Sequence, residues 1–417
     1  MRSMRLGTAG SLLALVVTAC SAVDNGSGHS PSGLPGSSGG RPSSSASDTA
    51  GGSRSSDAPD SPPNTSPGRT PAPDVASRVL AQMSLAERVG QLFMVNATAS
   101  ALDPGAVSAV TRYHVGSLYL GGETSLSVQQ TAAITSALQQ QRGSGPPLFI
   151  SADQEGGQVQ RFTGPGFSAI PTALVQGSMP PTALQAQATE WGHELAAAGV
   201  NLDLAPVLDT VPSAAAAERN PPIGELEREF GYDPGTVAAH GLAVMHGLAA
   251  ARVATSVKHF PGLGRVAANT DTSSGVVDSV TTRHDSYLGP FAAAAKAGTP
   301  FVMMSTAIYA RIDPDNPAAF SPAIVSGMVR GDLGFQGVIV SDDLGNARQV
   351  ASVPVPDRAL RFLAAGGDLV LTLDNSQTAA MVGAVIAQAQ ADPRFRAQVD
   401  TSALRVLLAK QHLGLLR

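Results

Sequence analysis

The chain has 417 residues, a formal net charge of −5 and a single cysteine. Without a basic patch to neutralise phosphates, that balance argues against a nucleic-acid partner, and one cysteine leaves no internal disulfide. High alanine and glycine with few aromatics still allow a large globular core, so the function must be sought in individual side chains.

The first element is an export signal. Arg2 and Arg5 precede an apolar stretch from Leu6 to Val17, and Val17-Thr18-Ala19-Cys20 ends it in small residues before a cysteine. The pattern is that of a bacterial lipobox, which predicts lipidation at Cys20 and a protein anchored to the outer face of the cell membrane. An ordinary cleaved signal with an incidental cysteine is the alternative. The apolar run is too short, and too interrupted by Gly7 and Gly10, to span a bilayer well. Residues 21–73 are rich in Ser, Gly and Pro with almost no large apolar side chain. Such a segment buries too little surface to offset the entropy of ordering, so a disordered tether is expected there.

Residues 74–417 read as one globular domain. Ser84-Leu85-Ala86-Glu87 is a capping box that opens a short helix. Apolar runs follow at Gln91–Asn96, Gly116–Gly121, Pro147–Asp153, Val200–Asp209, Ala254–Phe260, Phe301–Thr306, Gly337–Asp342 and Asp368–Asp374. Helical stretches rich in alanine and glutamine separate them. The runs are continuous, not alternating, as parallel strands buried on both faces require. Eight such strands alternating with helices predict a (β/α)8 barrel in a single domain. An open doubly wound sheet would usually carry a glycine-rich phosphate turn after its first strand. The segment G-Q-L-F-M-V-N-A-T-A is not one.

Polar groups collect where the runs stop, at the end of the barrel that carries catalytic groups. Asp153 and Arg161 flank Gly156-Gly157, a pair that permits a tight turn bringing the arginine back to the mouth. The same residues also suit a surface turn held by an Asp–Arg pair. Arg228, in E-L-E-R-E-F-G-Y-D-P, either reaches the mouth or stays solvated. Lys258 and His259 end the fifth run before Pro261-Gly262; neighbouring strand residues ordinarily point to opposite faces, so both face a ligand only if the strand twists or ends there. Asp342 and Asp343 end the seventh run, where one is expected to enter the mouth and the other to cap the following helix. Positive and neutral donors beside a strand-end carboxylate suit a sugar, whose hydroxyls must be held while a carboxylate meets the charge that develops at C1. No zinc-type histidine spacing occurs, and no metal or cofactor is expected.

Five motifs in order carry a resemblance: M-S-L-A-E-R-V-G-Q-L-F-M-V, D-Q-E-G-G-Q-V-Q-R-F, N-L-D-L-A-P-V-L-D, K-H-F-P-G and G-V-I-V-S-D-D-L. Over residues 77 to 417 the chain resembles family 3 of the glycoside hydrolases, and more closely its single-domain bacterial β-N-acetylglucosaminidases (β-hexosaminidases), which act on peptidoglycan fragments. The lipobox and tether resemble an actinobacterial lipoprotein branch. The resemblance implies a (β/α)8 barrel and a retaining reaction in which Asp342 is the nucleophile. It also implies that Asp153, Arg161, Arg228, Lys258 and His259 grip the sugar. In close relatives an Asp-Ser-His triplet follows K-H-F-P-G and supplies the proton-transferring histidine. This chain has Asn269-Thr270-Asp271 there, and Leu263 where relatives usually have histidine. Asp271 is the acid at the right place to replace the histidine, provided its surroundings raise its proton affinity.

The expected activity is release of terminal β-linked N-acetylglucosamine from peptidoglycan-derived or chitin-like saccharides. The alternatives are a β-glucosidase or glycoside phosphorylase of the same family, or a saccharide-binding lipoprotein without turnover. The expected partners are a saccharide and, through Cys20, a membrane. The sequence assigns no oligomeric state.

Overall fold

The computed structural model describes residues 74–417. The predicted signal peptide, Cys20 and the tether lie outside the described residues. Eight strands form the central sheet: β1 (Phe93–Thr98), β2 (Ser117–Gly121), β3 (Phe149–Ala152), β4 (Leu202–Asp203), β5 (Ala254–Phe260), β6 (Phe301–Met304), β7 (Val338–Ser341) and β8 (Val370–Thr372). Neighbours in the sheet follow chain order, and every pairing between them is parallel. β8 pairs with β1 from Phe93–Val370 to Val95–Thr372. On its other side it meets β7 at a bridge between Val340 and Leu369, where Ser341 N–H donates to Leu369 O at 3.0 Å. The sheet therefore returns on itself as a (β/α)8 barrel.

Several of the helices start where the sequence offers a cap. Ser84 and Glu87 exchange side-chain bonds with each other's backbone at 3.3 and 2.7 Å, and Ser127 with Gln130 repeats the device. Asp103, Asp233 and Asp392 each cap a helix whose first residue is proline.

Both faces of the strands are buried, which explains the unbroken apolar runs. Met94, Phe149, Leu202, Phe301, Met303, Val338, Val340 and Leu371 fill the barrel interior, with Phe149 and Phe301 edge to face at 5.2 Å between centroids. The terminal helix Pro393–His412 closes the base and sends Val406 into this cluster. Its Lys410 is fully buried and donates to Gln91 Oε1 at 2.7 Å and Gly116 O at 2.9 Å. Burial lowers its ammonium to about 7. The first described helix, Val75–Gln82, packs on the same terminal helix through Ala76, Met83 and Leu407. The described chain thus enters at the base, away from the strand ends that carry the polar groups.

One run is shorter than expected. The sequence suggests a strand from Val200 to Asp209, yet β4 covers two residues. Pro206 has no N–H to continue the ladder. Pairing resumes beyond it as a lone bridge between Val207 and Lys258, with Leu208 N–H donating to Lys258 O at 2.7 Å. Asp209 consequently sits in a loop above the barrel.

Asp203 on β4 is buried against Gln154, whose N–H donates to its Oδ1 at 3.0 Å. Burial pushes this carboxyl up to about 7, against the opposing pull of Gln154 N–H and Lys258. A carboxyl whose folded value exceeds its unfolded value stabilises most below the unfolded value, and that stability is lost as pH rises towards 7. Asp203→Asn mimics the neutral acid and keeps an acceptor for Gln154. The melting temperature of the variant should match the wild type near or below about pH 4 and exceed it by about 2–5 °C near pH 8. An equal difference at both pH values would remove the argument.

Candidate active site

The C-terminal strand ends surround a cavity of about 370 Å³. Asp153, Arg161, Arg228, Lys258, His259, Asp271 and Asp342 all line it. The structure thus brings together every candidate side chain among the described residues.

Asp153 directly follows β3, and a hairpin of Gln154–Gly156 with Val159–Gln160 comes next. Gly156 and Gly157 turn it at φ values of 102° and 55°, a region glycine enters at little cost. The turn returns Arg161 to within 3.7 Å of Asp153. At the end of β5 the pairing with β6 slips between Val257 and Phe260. The Lys258–His259 peptide bond is cis, and both side chains line the cleft. Arg228 reaches the site from the loop after β4, anchored by a 2.7 Å bond to Pro222 O.

Three of these groups share a charge network with Glu155. Lys258 Nζ lies 2.6 Å from Asp153 and 2.5 Å from Glu155. Arg228 holds Glu155 through two bonds, at 2.8 and 2.7 Å. Tyr119, projecting inward from β2, donates to Asp153 at 2.7 Å. Burial alone would raise both acids, but Lys258 with Arg161 holds Asp153 below the usual carboxylate range, and Arg228 with Lys258 holds Glu155 well below it. Burial would also strip Lys258 of its proton; the two carboxylates keep it charged. These side chains are locked before any ligand arrives, so they present fixed donors and acceptors to it.

The opposite wall behaves differently. Asp342 receives a hydrogen bond from Asp343 N–H at 2.8 Å. Burial raises its carboxyl, His259 opposes that, and Asp271 adds to it. Asp343 turns away from the role of helix cap: the next helical turn, Arg348–Val350, starts after Ala347, and the next α-helix, Val355–Ala364, after Pro354. Its carboxylate instead accepts from Gly345, Asn346 and Leu373 N–H, pinning the β7 and β8 ends together. Asp271 is largely open on its outer side, yet its carboxyl is also raised, first by the hydration it loses in the cleft, with His259 opposing and Asp343 adding. Its loop is strapped down: Arg348 N–H donates to Asp271 O at 3.1 Å and Gln349 N–H to Thr270 O at 3.0 Å. Asn269 Oδ1 accepts from Asp271 N–H at 2.8 Å, so the Asn-Thr-Asp stretch sets its own turn. Leu263 is 2 % exposed and lines the same cavity.

Asp209 completes the site from behind. It accepts from His259 Nδ1 at 2.7 Å and from the backbone N–H of Leu263 at 2.8 Å. Asp209 and Glu155 stand among the polar groups at the strand ends but receive no site role from the sequence, and Tyr119 is not singled out at all. Their signals exist: Asp209 ends N-L-D-L-A-P-V-L-D, Glu155 stands two residues after Asp153, and Tyr119 is an inward polar group in an apolar strand. Among the described residues no cluster of metal-ligating side chains occurs.

Fixed donors and acceptors on one wall and two carboxyls of raised proton affinity on the other suit acid–base chemistry on a polyhydroxylated ligand. Comparison with known proteins gives the same direction. Residues 84–409 match the glycosyl hydrolase family 3 N-terminal domain. A β-hexosaminidase of Stenotrophomonas maltophilia is 36 % identical over 257 residues, covering 59 % of this chain and 72 % of that protein. The crystal structure of a β-N-acetylhexosaminidase from Beutenbergia cavernae shares 53 % identity at a TM-score of 0.78, covering 79 % of this chain and 99 % of that one. A family 3 β-N-acetylglucosaminidase from a Paenibacillus species superimposes at a TM-score of 0.73 with 29 % identity, covering 80 % of this chain and 63 % of that one. The chain belongs to glycosyl hydrolase family 3 and is a glycoside hydrolase.

Proposed function

We propose that the protein is a retaining exo-β-N-acetylglucosaminidase that releases terminal β-linked N-acetylglucosamine from peptidoglycan-derived or chitin-like saccharides. The observation that carries this reading is the meeting of Asp342 and Asp271 in one cavity with the Asp153–Lys258–Arg161–Arg228 wall. The names of the relatives point to the N-acetyl sugar.

In this reading Asp153, Arg161, Arg228, Lys258 and His259 hold the hydroxyls and acetamido group of the sugar. Asp342 attacks C1 as its carboxylate while Asp271, as the neutral acid, gives its proton to the departing oxygen. The bond from C1 to the aglycone breaks as the bond from C1 to Asp342 forms. Asp271 then takes a proton from water, which attacks C1 and frees Asp342, so the configuration is retained. Both carboxyls are raised, so the nucleophile ionises later and the donor keeps its proton longer than free carboxylic acids would. The lipobox at Cys20 adds the proposal that the enzyme works on the outer face of the membrane, on wall fragments within reach of its tether.

The test compares hydrolysis of an aryl N-acetyl-β-glucosaminide with the matching aryl β-glucoside. A kcat/KM ratio of about a hundred or more in favour of the N-acetyl sugar is expected, the size of effect that follows when polar groups built for one substituent are left unpaired by its absence. Equal rates, or a rate that needs inorganic phosphate, would favour the β-glucosidase or phosphorylase reading.

A further inference from the structure

The loop that carries Asp271 has few anchors of its own. Residues 267–275 lie between Val266, whose carbonyl accepts from Asn220 Nδ2 at 2.8 Å, and Val276. Within that stretch Asn269 organises a turn. Its side chain accepts from Asp271 N–H at 2.8 Å and its carbonyl from Ser273 N–H at 2.9 Å. Among the described residues, the hydrogen bonds that tie the stretch to another part of the chain come from the Arg348 and Gln349 N–H groups. Ala267, Asp271, Thr272, Ser274 and Gly275 are exposed. A loop held so sparsely does not by itself keep a side chain in one place.

Gln349 does more than donate its N–H. Its side chain is buried, and the amide is paired with Val276 as a neighbouring strand would be. Oε1 accepts from Val276 N–H at 2.8 Å, and Nε2 donates to Val276 O at 3.2 Å. Val276 O also accepts from Ile308 N–H at 3.0 Å, at the start of the parallel pairing of Val277–Asp278 with Ile308–Tyr309. One residue therefore grips both ends of the loop: Thr270 O through its backbone and Val276 through its side chain. Thr270 and Val276 are both buried, so these bonds are shielded from water.

Gln349 itself stands on a rigid base. It lies on the turn Arg348–Val350, in the segment that runs on from Asp342. In that segment Asp343 accepts from Gly345, Asn346 and Leu373 N–H. Arg358, from the helix that follows, donates to Leu344 O, Gly345 O and Val353 O at 2.8 Å each. The strand end bearing Asp342 and the clamp on the Asp271 loop are thus parts of one braced segment.

We infer that Gln349 is a positioning residue that fixes the Asp271 loop to the strand end bearing Asp342, and so sets where the proton donor stands over the bond to be broken. This rests on the reading in which Asp342 is the nucleophile and Asp271 the donor. Proton transfer needs the donor within hydrogen-bond reach of the departing oxygen, and a displacement of about 1 Å costs on the order of a hundredfold. The nucleophile and the sugar-holding wall have supports of their own, so loosening the clamp should strike the proton transfer and little else.

The test is the leaving-group dependence of Gln349→Ala, which keeps the N–H bond to Thr270 O and releases Val276. Its kcat/KM for saccharide substrates should fall about tenfold to a hundredfold, while dinitrophenyl glycosides change by less than about threefold. Added to Asp271→Asn, the same change should cost less than about twofold more, because the donor that the clamp positions is already gone. Gln349→Met fills the space without either bond; it should behave alike, and it keeps the test available if the alanine variant fails to fold. In the wild-type enzyme the Val276 amide should exchange with deuterium far more slowly than those of Ser274 and Gly275. Equal slowing of both substrate types, full additivity with Asp271→Asn, or exchange at Val276 as fast as at its exposed neighbours would overturn the inference. Failure of the underlying reading shows separately: if Asp271→Asn itself slows both substrate types equally, Asp271 is not the donor, whatever the Gln349 variants do.

Discussion

Asp342→Asn is expected to lower kcat/KM for aryl N-acetylglucosaminides by roughly a thousandfold or more, the scale seen when a nucleophile is removed from a set of groups acting together. That loss corresponds to about 4 kcal/mol of transition-state stabilisation. The amide keeps the size of the carboxylate and its acceptor oxygen for Asp343 N–H, so the strand end should stay in place. Thermal stability should therefore be little changed, or rise slightly, because burial already disfavours the charge on this side chain. Cutting the side chain back, as Asp342→Gly, should leave room for azide to attack C1 in its place and yield a glycosyl azide of inverted configuration. Residual activity within tenfold of the wild type, with no azide product, would place the nucleophile elsewhere.

The second large effect belongs to Asp271→Asn, and its size should depend on the substrate. An aryl leaving group of low basicity departs without help, whereas a sugar oxygen needs a proton. Asp271→Asn should slow saccharide substrates by about a hundredfold to ten-thousandfold in kcat/KM while changing dinitrophenyl glycosides by less than about tenfold. A plot of log kcat/KM against leaving-group basicity should steepen accordingly. The wild-type alkaline limb should lie above the usual carboxylate range, because the surroundings raise the Asp271 carboxyl and its protonated form is the active one. That limb should disappear in the variant on activated substrates. If both substrate types slow equally, Asp271 holds the loop or the sugar and another group moves the proton. The straps from Arg348 and Gln349 fix the backbone of this loop independently of the carboxylate, so a gross loop collapse is not the expected cause of any loss.

Much of this architecture is legible along the chain. Parallel strands buried on both faces must be apolar throughout, so their number and order can be counted, and each of the eight runs overlaps one barrel strand, β1 running two residues past its run. The exception in extent is β4, where Pro206 ends the ladder and the apolar character continues into a buried loop that periodicity does not distinguish from a strand. Asp153, Lys258 and Asp342 stand out because an acid or an amine at the end of an apolar run is costly unless it is used. Arg228 is less distinct: its segment is charged and loop-like, and nothing in the spacing shows that two bonds to Glu155 hold it in the cleft. The roles of Glu155, Tyr119 and Asp209 escape the sequence for the same reason. Each matters through a partner more than 30 residues away, and sequence spacing carries no record of such a contact.

By itself, then, the order of apolar runs and strand-end polar groups determined the barrel, the end of it that carries the site, and the family. These follow from local rules: burial on both faces, caps where helices begin, and charges placed only where a strand meets water. The tertiary structure alone decided which charges neutralise one another and which do not. Lys258, Arg228 and Arg161 are used up by Asp153 and Glu155, whereas Asp342 and Asp271 are left with raised proton affinity beside a histidine backed by Asp209. The physical reason is that proton affinity depends on hydration and on charges a few ångströms away in space, and barrel closure sets both by bringing together strands that the chain keeps far apart.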